Sequence, residues 1–583
     1  MAEALISPGV LARENDNSFV SQGPIRNSAA IIGPTVKGPV EWPQIVTSYS
    51  DFTNKFGSTI TVNSTPGTGS GNVYSFFTSI TAFNFFANGG ETLLVTRVAS
   101  GSYSSATSSF ISGSTVGAIA SGSAFTLTTF SEGTIMNSTS AVDISGSLLS
   151  GSIDNIRFQI ANSNTSSGTF DLYIRRGDDN TNNLIILETW TGLSLDPLAP
   201  NFLSRVIGDS HEELDTTNNQ MVSYGNYKNN SRYVYVSSIN PAFLMANYFD
   251  NNGNPKAAYT PFIPANLPVS GTFGSATGAI TGSANFYDTI NGTNTQGLVA
   301  NNYTASVALM ANQDAYQFNV LTIPGLYNSD ANYNAVLTNA INNTQNRGDN
   351  IFVMDLVPYS SSVNTVSVQA NQRNTSYAAS YWPWVQTVDP DLGQLVWVPA
   401  SAMIPGVYAY NDTVSEPWFA PAGINRGGLS QVVKAERKLT QTQRDTLYSN
   451  KVNPIATFPA TGVVVYGQKT LQTKASALDR VNVRRLLIAL KNFISEVAQN
   501  LVFEQNTIAT RNSFLAAVNP YLETVQQKQG LYAFKVIMDD SNNPADVIDR
   551  NQMVGQIYIQ PTKTAEFIYL DFNILPTGAT FPA

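Results

Sequence analysis

The amino-acid sequence predicts an α/β multidomain protein, with an α/β core of parallel strands, inserted β-rich domains and an α+β C-terminal domain. Three observations carry this. An apolar strand, an amphipathic helix and a second apolar strand follow one another between residues 318 and 355, the pattern of a β-α-β unit. Two stretches rich in Ser, Gly, Asn and Thr, about 99–187 and 229–315, interrupt that texture. Near the C-terminus, Val483, Leu487, Leu490, Ile494, Val497 and Leu501 repeat at helical spacing ahead of strand-like segments. With 583 residues and 42% hydrophobic content, the chain can bury several cores, so three or four domains are expected.

Taken in order, residues 1–24 carry Pro8, Gly9 and Pro24 around a short extended piece and suggest an arm. Ala29–Ile32 is a short apolar strand ending at Gly33-Pro34. Ser50 to Gly57 is a short helix with a serine cap and a glycine stop. Phe76 to Phe86 is apolar at helical spacing and ends at Asn88-Gly89-Gly90, after which Thr92–Val98 is a buried strand. No basic residue occurs between Arg97 and Arg157, and short alternating strands dominate there. Phe170–Ile174 and Leu184–Leu187 flank a polar turn and form a hairpin. Phe318–Ile323 is a strand followed by a turn at Pro324-Gly325. Ser329 caps a helix with the apolar face Tyr333, Val336, Leu337, Ala340 and Ile341, Gly348 ends it, and Ile351–Asp355 is the next strand. The heptad-like helix is followed by a second over 508–529, with Pro520 as a kink or break and Gly530 as its stop. Three strands then follow: Leu531–Met538, Gly555–Gln560 and Glu566–Phe572.

Charged residues make up 12% of the chain, and the net charge is −9. Phosphate neutralisation needs clustered Lys and Arg, so direct nucleic-acid binding is not expected. A weakly charged, amide-rich surface suits close contact with copies of itself, because each buried charge would need a partner. There is no Cys, which excludes disulfides and thiolate chemistry. The first residues lack a basic stretch followed by an apolar run, so no signal peptide is expected, and no apolar run suggests membrane insertion. The single histidine, His211, cannot build a two-histidine metal site; the pattern G-x-S-x-G is absent, and a surface or capping role is expected for His211. Gly462 to Thr470 resembles a phosphate-binding loop with one residue too many, which displaces Lys469 from the phosphates. Asp539 to Pro544 lacks the glycine and distal glutamate of a calcium loop and is expected to be a capped turn. No cofactor, metal or catalytic residue is expected. One electrostatic feature stands out: Arg480, Arg484, Arg485 and Lys491 cluster on and beside one face of the first C-terminal helix. They suggest either a solvated face or a docking surface for an acidic partner.

Several segments, taken together, resemble contractile phage tail sheath proteins. Ile6-Ser-Pro-Gly-Val10 with Arg13 to Ser18, Ala30 to Pro39, Ile45 to Ser48, and Phe85 to Gly90 leading into Val95–Val98 are similar to the family's N-terminal blocks. Leu193 to Pro197, Ser376 to Ala379, Tyr381 to Trp384, Val398-Pro399, Gly406 to Tyr408 and Ala420 to Gly423 follow in family order. The C-terminal third is most similar, through Asn482 to Arg485, Asn519 to Leu522, Asp539 to Asn543, Val547 to Asn551 and Ala565 to Ile568. The stretches about 99–187 and 229–315 match nothing in the family pattern.

The resemblance implies a homo-oligomer of hexameric rings, stacked helically around a tail tube, with baseplate and tail terminator proteins as further partners. On contraction, the tube would be driven through the host envelope. It implies an N-terminal arm (1–24) and a core made of 25–98 with 188–228 and 316–460. It also implies β-rich outer insertions (99–187 and 229–315), an inner, tube-facing domain (461–572) and a C-terminal arm (573–583). Ile6, Val10, Leu11, Ile574 and Leu575 are then candidate inter-subunit arm residues, and Arg480, Arg484, Arg485 and Lys491 candidate tube contacts. The expected location is the virion tail, assembled in the host cytoplasm. A tailocin or secretion-system sheath, a virion-associated polysaccharide hydrolase, and a plain capsid or tube protein are the alternatives.

Overall fold

The computed structural model describes residues 28–62, 72–111, 123–164, 168–215, 217–239, 270–280, 284–292, 294–459 and 461–569. The expected arms, with Ile6, Val10, Leu11, Ile574 and Leu575, lie outside the described residues.

Eight strands form one mixed sheet. Their spatial order is Gln44–Val46, Thr92–Arg97, Ser28–Gly33, Val320–Tyr327, Ile351–Asp355, Ala378–Trp382, Asn453–Phe458 and Gly462–Val465. The six inner strands run parallel and the two edge strands antiparallel. The inner strands are buried along nearly their whole length because a parallel sheet is covered on both faces. Successive residues alternate between the two sides. Ala29, Ile31, Leu93, Val95 and Val353 join one cluster, with Phe52, Phe77 and Phe85 from the covering helices. Ala30, Ile32, Leu94, Phe352 and Met354 join the other, against Val336, Leu337, Ala340 and Val366.

Local signals set the element ends. Helix Tyr49–Phe56 is capped by Ser48, whose hydroxyl accepts from the Asp51 amide; the cap falls two residues before the expected Ser50. Helix Asn334–Arg347 ends at Gly348 with φ 72°, a left-handed position that favours glycine. Asp330, not Ser329, caps the short 3₁₀ turn that precedes this helix. The expected turn at Pro324-Gly325 is instead a kink inside a strand that continues to Tyr327; the ladder breaks register there, and the Gly325 amide donates to the Asp355 carboxylate.

The insertion departs from expectation. A four-stranded sheet, Ile186–Ser194, Thr169–Arg176, Ile156–Asn164 and Ser270–Thr272, packs on a three-stranded one, Val234–Ile239, Ser123–Glu132 and Ser105–Ile111. Between them lies a single core that includes Phe110, Phe125, Phe158, Phe170, Phe273 and Leu193. The first part of 188–228, assigned to the α/β core from the sequence, belongs instead to this sandwich: Ile186–Ser194 pairs with Thr169–Arg176, and Leu203 and Ile207 fill its core, whereas the hairpin His211–Asp215 with Gln220–Tyr224 packs Leu214 and Met221 on the α/β core. The stretch 229–315 forms no separate β-rich insertion among its described residues. Its beginning completes the same sandwich. Its end is helical, and Leu298, Tyr303, Val307 and Leu309 pack on the α/β core.

The C-terminal domain pairs helix Val481–Gln499 with helix Ile508–Gln527 and backs them with a two-stranded antiparallel sheet, Leu531–Ile537 with Gln556–Pro561. Gly462–Val465, placed in this domain from the sequence, is instead the edge strand of the main sheet. The second helix runs unbroken through Pro520. Residues 566–569 form no strand, unlike the expected third C-terminal strand.

Candidate functional site

The basic cluster on the first C-terminal helix is the natural starting point, and the structure overturns its reading as an exposed docking face. The first half of Val481–Gln499 is buried nearly all round, wedged between the α/β core and the second helix. Arg484 is 4% exposed; its guanidinium donates to the Ser376 carbonyl and hydroxyl and lies 3.9 Å from the Tyr377 ring centroid. Burial holds it below its ordinary pKa, with the Tyr377 hydroxyl acting in the opposite direction. Arg485 is 5% exposed, pairs with Asp412 and covers the Tyr408 ring at 4.6 Å. Both residues tie the C-terminal domain to the core. Of the four, Lys491 is the exposed one; its amine reaches the Tyr377 hydroxyl at 3.3 Å.

Arg480 is engaged differently. It makes two hydrogen bonds to the Glu566 carboxylate, at 2.8 and 2.9 Å, and an ion pair to Asp479 at 3.0 Å. The Tyr448 hydroxyl and the Gln468 amide also donate to Glu566. Burial pushes the Glu566 carboxyl up, but these hydrogen bonds and the Arg480 charge outweigh it and hold the group below its usual range. Glu566 therefore anchors the chain to the core just before its C-terminal end. Immediately beyond, Phe567, Ile568 and Tyr569 are 69%, 76% and 88% exposed. Sequence reasoning quoted Glu566 within a motif but could not assign its partner, because 86 residues separate it from Arg480.

Beside this anchor lies the two-stranded sheet. Phe534, Val536, Ile557 and Ile559 pack inward against the helices, while Tyr532, Lys535, Tyr558 and Gln560 face outward. Neither outer edge carries a ladder partner among the described residues. A pair of strands with both edges open is an acceptor for further strands.

His211, expected as a surface or capping residue, is half-buried between Tyr224 and Tyr235, with its ring 4.6 Å from the latter. Residues 462–465 are strand rather than loop, and the Lys469 amine lies 4.4 Å from the Tyr448 ring centroid. Asp539 caps its own turn through Ser541. Among the described residues, no group of three or more His, Cys, Asp or Glu side chains could hold a metal ion.

Comparison with known proteins bears on this arrangement. Residues 296–471 match the phage tail sheath protein central domain, and residues 473–575 match the phage tail sheath C-terminal domain. A tail sheath protein of Vibrio phage KVP40 is 45% identical over 185 residues, 32% of this chain and 28% of the relative. A tail sheath protein of Enterobacteria phage T4 is 41% identical over the same length, again 28% of the relative. The matched stretch thus spans under a third of these relatives. A crystal structure of a sheath tail protein from Listeria innocua aligns over 93% of this chain and 96% of its own, at 11% identity and a TM-score of 0.51, which is a likeness of fold.

Proposed function

We propose, from the premise that this chain carries the central and C-terminal domains of phage tail sheath proteins, that it is the structural subunit of a contractile tail sheath. In this reading it polymerises as stacked hexameric rings around a tail tube and contracts to drive the tube through the host envelope. The work is done by repacking, with no catalytic step. The observation that carries the reading is the C-terminal two-stranded sheet, neither edge of which is paired among the described residues, next to the chain segment anchored at Glu566.

Extended arms from neighbouring subunits would add strands to those edges through backbone hydrogen bonds. Five such bonds, at about 1 kcal/mol net each, would hold neighbours together while the α/β bodies move as rigid units. Candidate arm residues remain Ile6, Val10 and Leu11 at one end and Ile574 and Leu575 at the other. Tube contact falls to Lys491 and to surfaces other than Arg484 and Arg485, whose guanidinium groups are engaged inside the subunit.

Negative-stain electron microscopy of the purified chain at rising concentration, alone and with tube protein, tests the reading. Long striated hollow tubes are expected from the full chain. A chain lacking residues 1–20 is expected to stay a folded monomer. Normal tubes from the truncated chain would refute the arm model, and compact oligomers under all conditions would refute the sheath reading.

A further inference from the structure

A cavity of about 450 Å³ opens where the α/β core meets the inserted sandwich. One wall is the core segment running from Pro39 to Trp42; the others come from strands Ser123–Glu132, His211–Asp215 and Val234–Ile239. Aromatic rings run through it in contact. Trp42 and Phe130 lie 5.7 Å apart between centroids, Phe130 and Tyr235 5.1 Å, and Tyr235 and His211 4.6 Å.

Glu132, Glu212 and Glu213 bring three carboxyl groups to the same space, and no lysine or arginine is among its described lining residues. The Arg97 guanidinium, which attracts Glu132, is itself fully buried and committed. It donates to the Gly38 and Glu132 carbonyls and lies over the Tyr103 ring. The cavity therefore gathers three carboxyl groups with no lysine or arginine among its described lining residues, and the His211 ring nitrogen lies 3.6 Å from the Glu213 carboxylate. Burial pushes the Glu132 carboxyl up to about 7; Arg97 pulls it down, and Glu41 and Glu213 push it further up. Burial raises Tyr235 to about 12, with Glu213 and Glu132 adding to the effect.

We propose that this cavity is a binding site for an organic cation, an alkylammonium or guanidinium group. Ring faces attract such a group through their quadrupoles, and carboxylates accept its hydrogen bonds. An anion would be repelled, and a neutral polyol would leave the field of three carboxyl groups uncompensated. The bound cation would touch both the Trp42 segment and the sandwich, and so fix the insertion against the core. Two sources carry this chemistry: a free polyamine, and a basic side chain of a protein segment.

The titratable and charged groups around the cavity are Glu41, Glu132, Glu212 and Glu213, His211, Tyr103 and Tyr235, with Arg97 behind them. A cation favours ionised Glu132, so binding should strengthen from pH 6 to pH 8 with proton release.

Isothermal titration calorimetry of the full chain with spermidine, N-acetylarginine amide and the neutral sugar maltose tests this. At least one cation is expected to bind, about tenfold more weakly in Glu132→Gln and in Trp42→Ala. Binding of spermidine alone assigns the site to a free polyamine, and binding of the arginine amide alone to a protein side chain. Trp42→Ala removes packing at the junction, so Glu132→Gln, which keeps the shape, decides if the first variant unfolds. Binding of neither cation, cation binding unchanged in Glu132→Gln, or binding of maltose alone would overturn the proposal.

Discussion

Arg485 shows how a residue legible as a charge can be misassigned until its partner is known. Breaking a buried ion pair by removing one member leaves the other charge uncompensated, at a cost of about 3–5 kcal/mol. Arg485→Ala is therefore expected to lower the urea unfolding midpoint sharply, because Asp412 stays buried without its partner. The double variant Arg485→Met with Asp412→Leu should recover most of that loss. A mild effect of Arg485→Ala would return the residue to the solvated face that its spacing suggested. Asp355 has a different signature. It is fully buried, and burial raises its carboxyl to about 6 despite hydrogen bonds from Ser401 and the Gly325 amide. The unfolded value is about 3.9, so the folded protein binds the proton more tightly between these two values. Stability from this group is present in full below about pH 4 and is lost as pH rises through about 6, by roughly 3 kcal/mol. Denaturant midpoints measured at pH 4.5 and 7 should show this component in the wild type and lack it in Asp355→Asn. An identical pH slope in the two proteins would contradict it.

Helices and strands were legible where one physical signal dominated. The 4-3-4 spacing in Val481–Gln499 gave the helix and its apolar stripe, because only one face of its outer half meets a partner. Its inner half is buried all round, which the same spacing could not reveal. Pro520 sits at an exposed position near the middle of Ile508–Gln527, and its helix continues because packing of Phe514, Val518, Leu522 and Val525 on one side outweighs the missing backbone donor. Glu566–Phe572 has the alternation of a strand, yet residues 566–569 pair with no strand among the described residues. Leu522 is fully buried between the two helices and the sheet. Leu522→Ala is expected to cost about 2–5 kcal/mol. Hydrogen exchange should rise in 508–561 first, with the main sheet still protected; uniform loss of protection would mean that the C-terminal domain and the core unfold as one unit.

At the scale of the whole molecule, the insertion leaves and rejoins the core at one place: the Ser104 amide donates to the Thr277 carbonyl at 3.2 Å. Replacing residues 105–276 with a short Gly-Ser linker should therefore leave a soluble core with a cooperative thermal transition. Deleting only 99–187 should give an aggregating chain, because Ile186–Ser194, Val234–Ile239 and Ser270–Thr272 would each lose a ladder partner. A well-folded product from the second deletion would contradict the single-sandwich description. The sequence by itself determined the alternation of helices and strands in the core, the helical C-terminal pair, the lack of a two-histidine metal site, and the ordered segments that resemble the sheath family. Each of these depends on residue identity and short-range spacing, which the chain displays directly. Only the tertiary structure decided that Ile186–Ser194, Leu203 and Ile207 belong to the sandwich, that Arg484 and Arg485 are interior ties, that Glu566 anchors the segment that follows the C-terminal sheet, and that His211 joins an acidic aromatic cavity. Those outcomes rest on which distant side chains meet. Pairings such as Arg480 with Glu566, or Arg485 with Asp412, are fixed by how buried surfaces close over one another, which local periodicity does not encode.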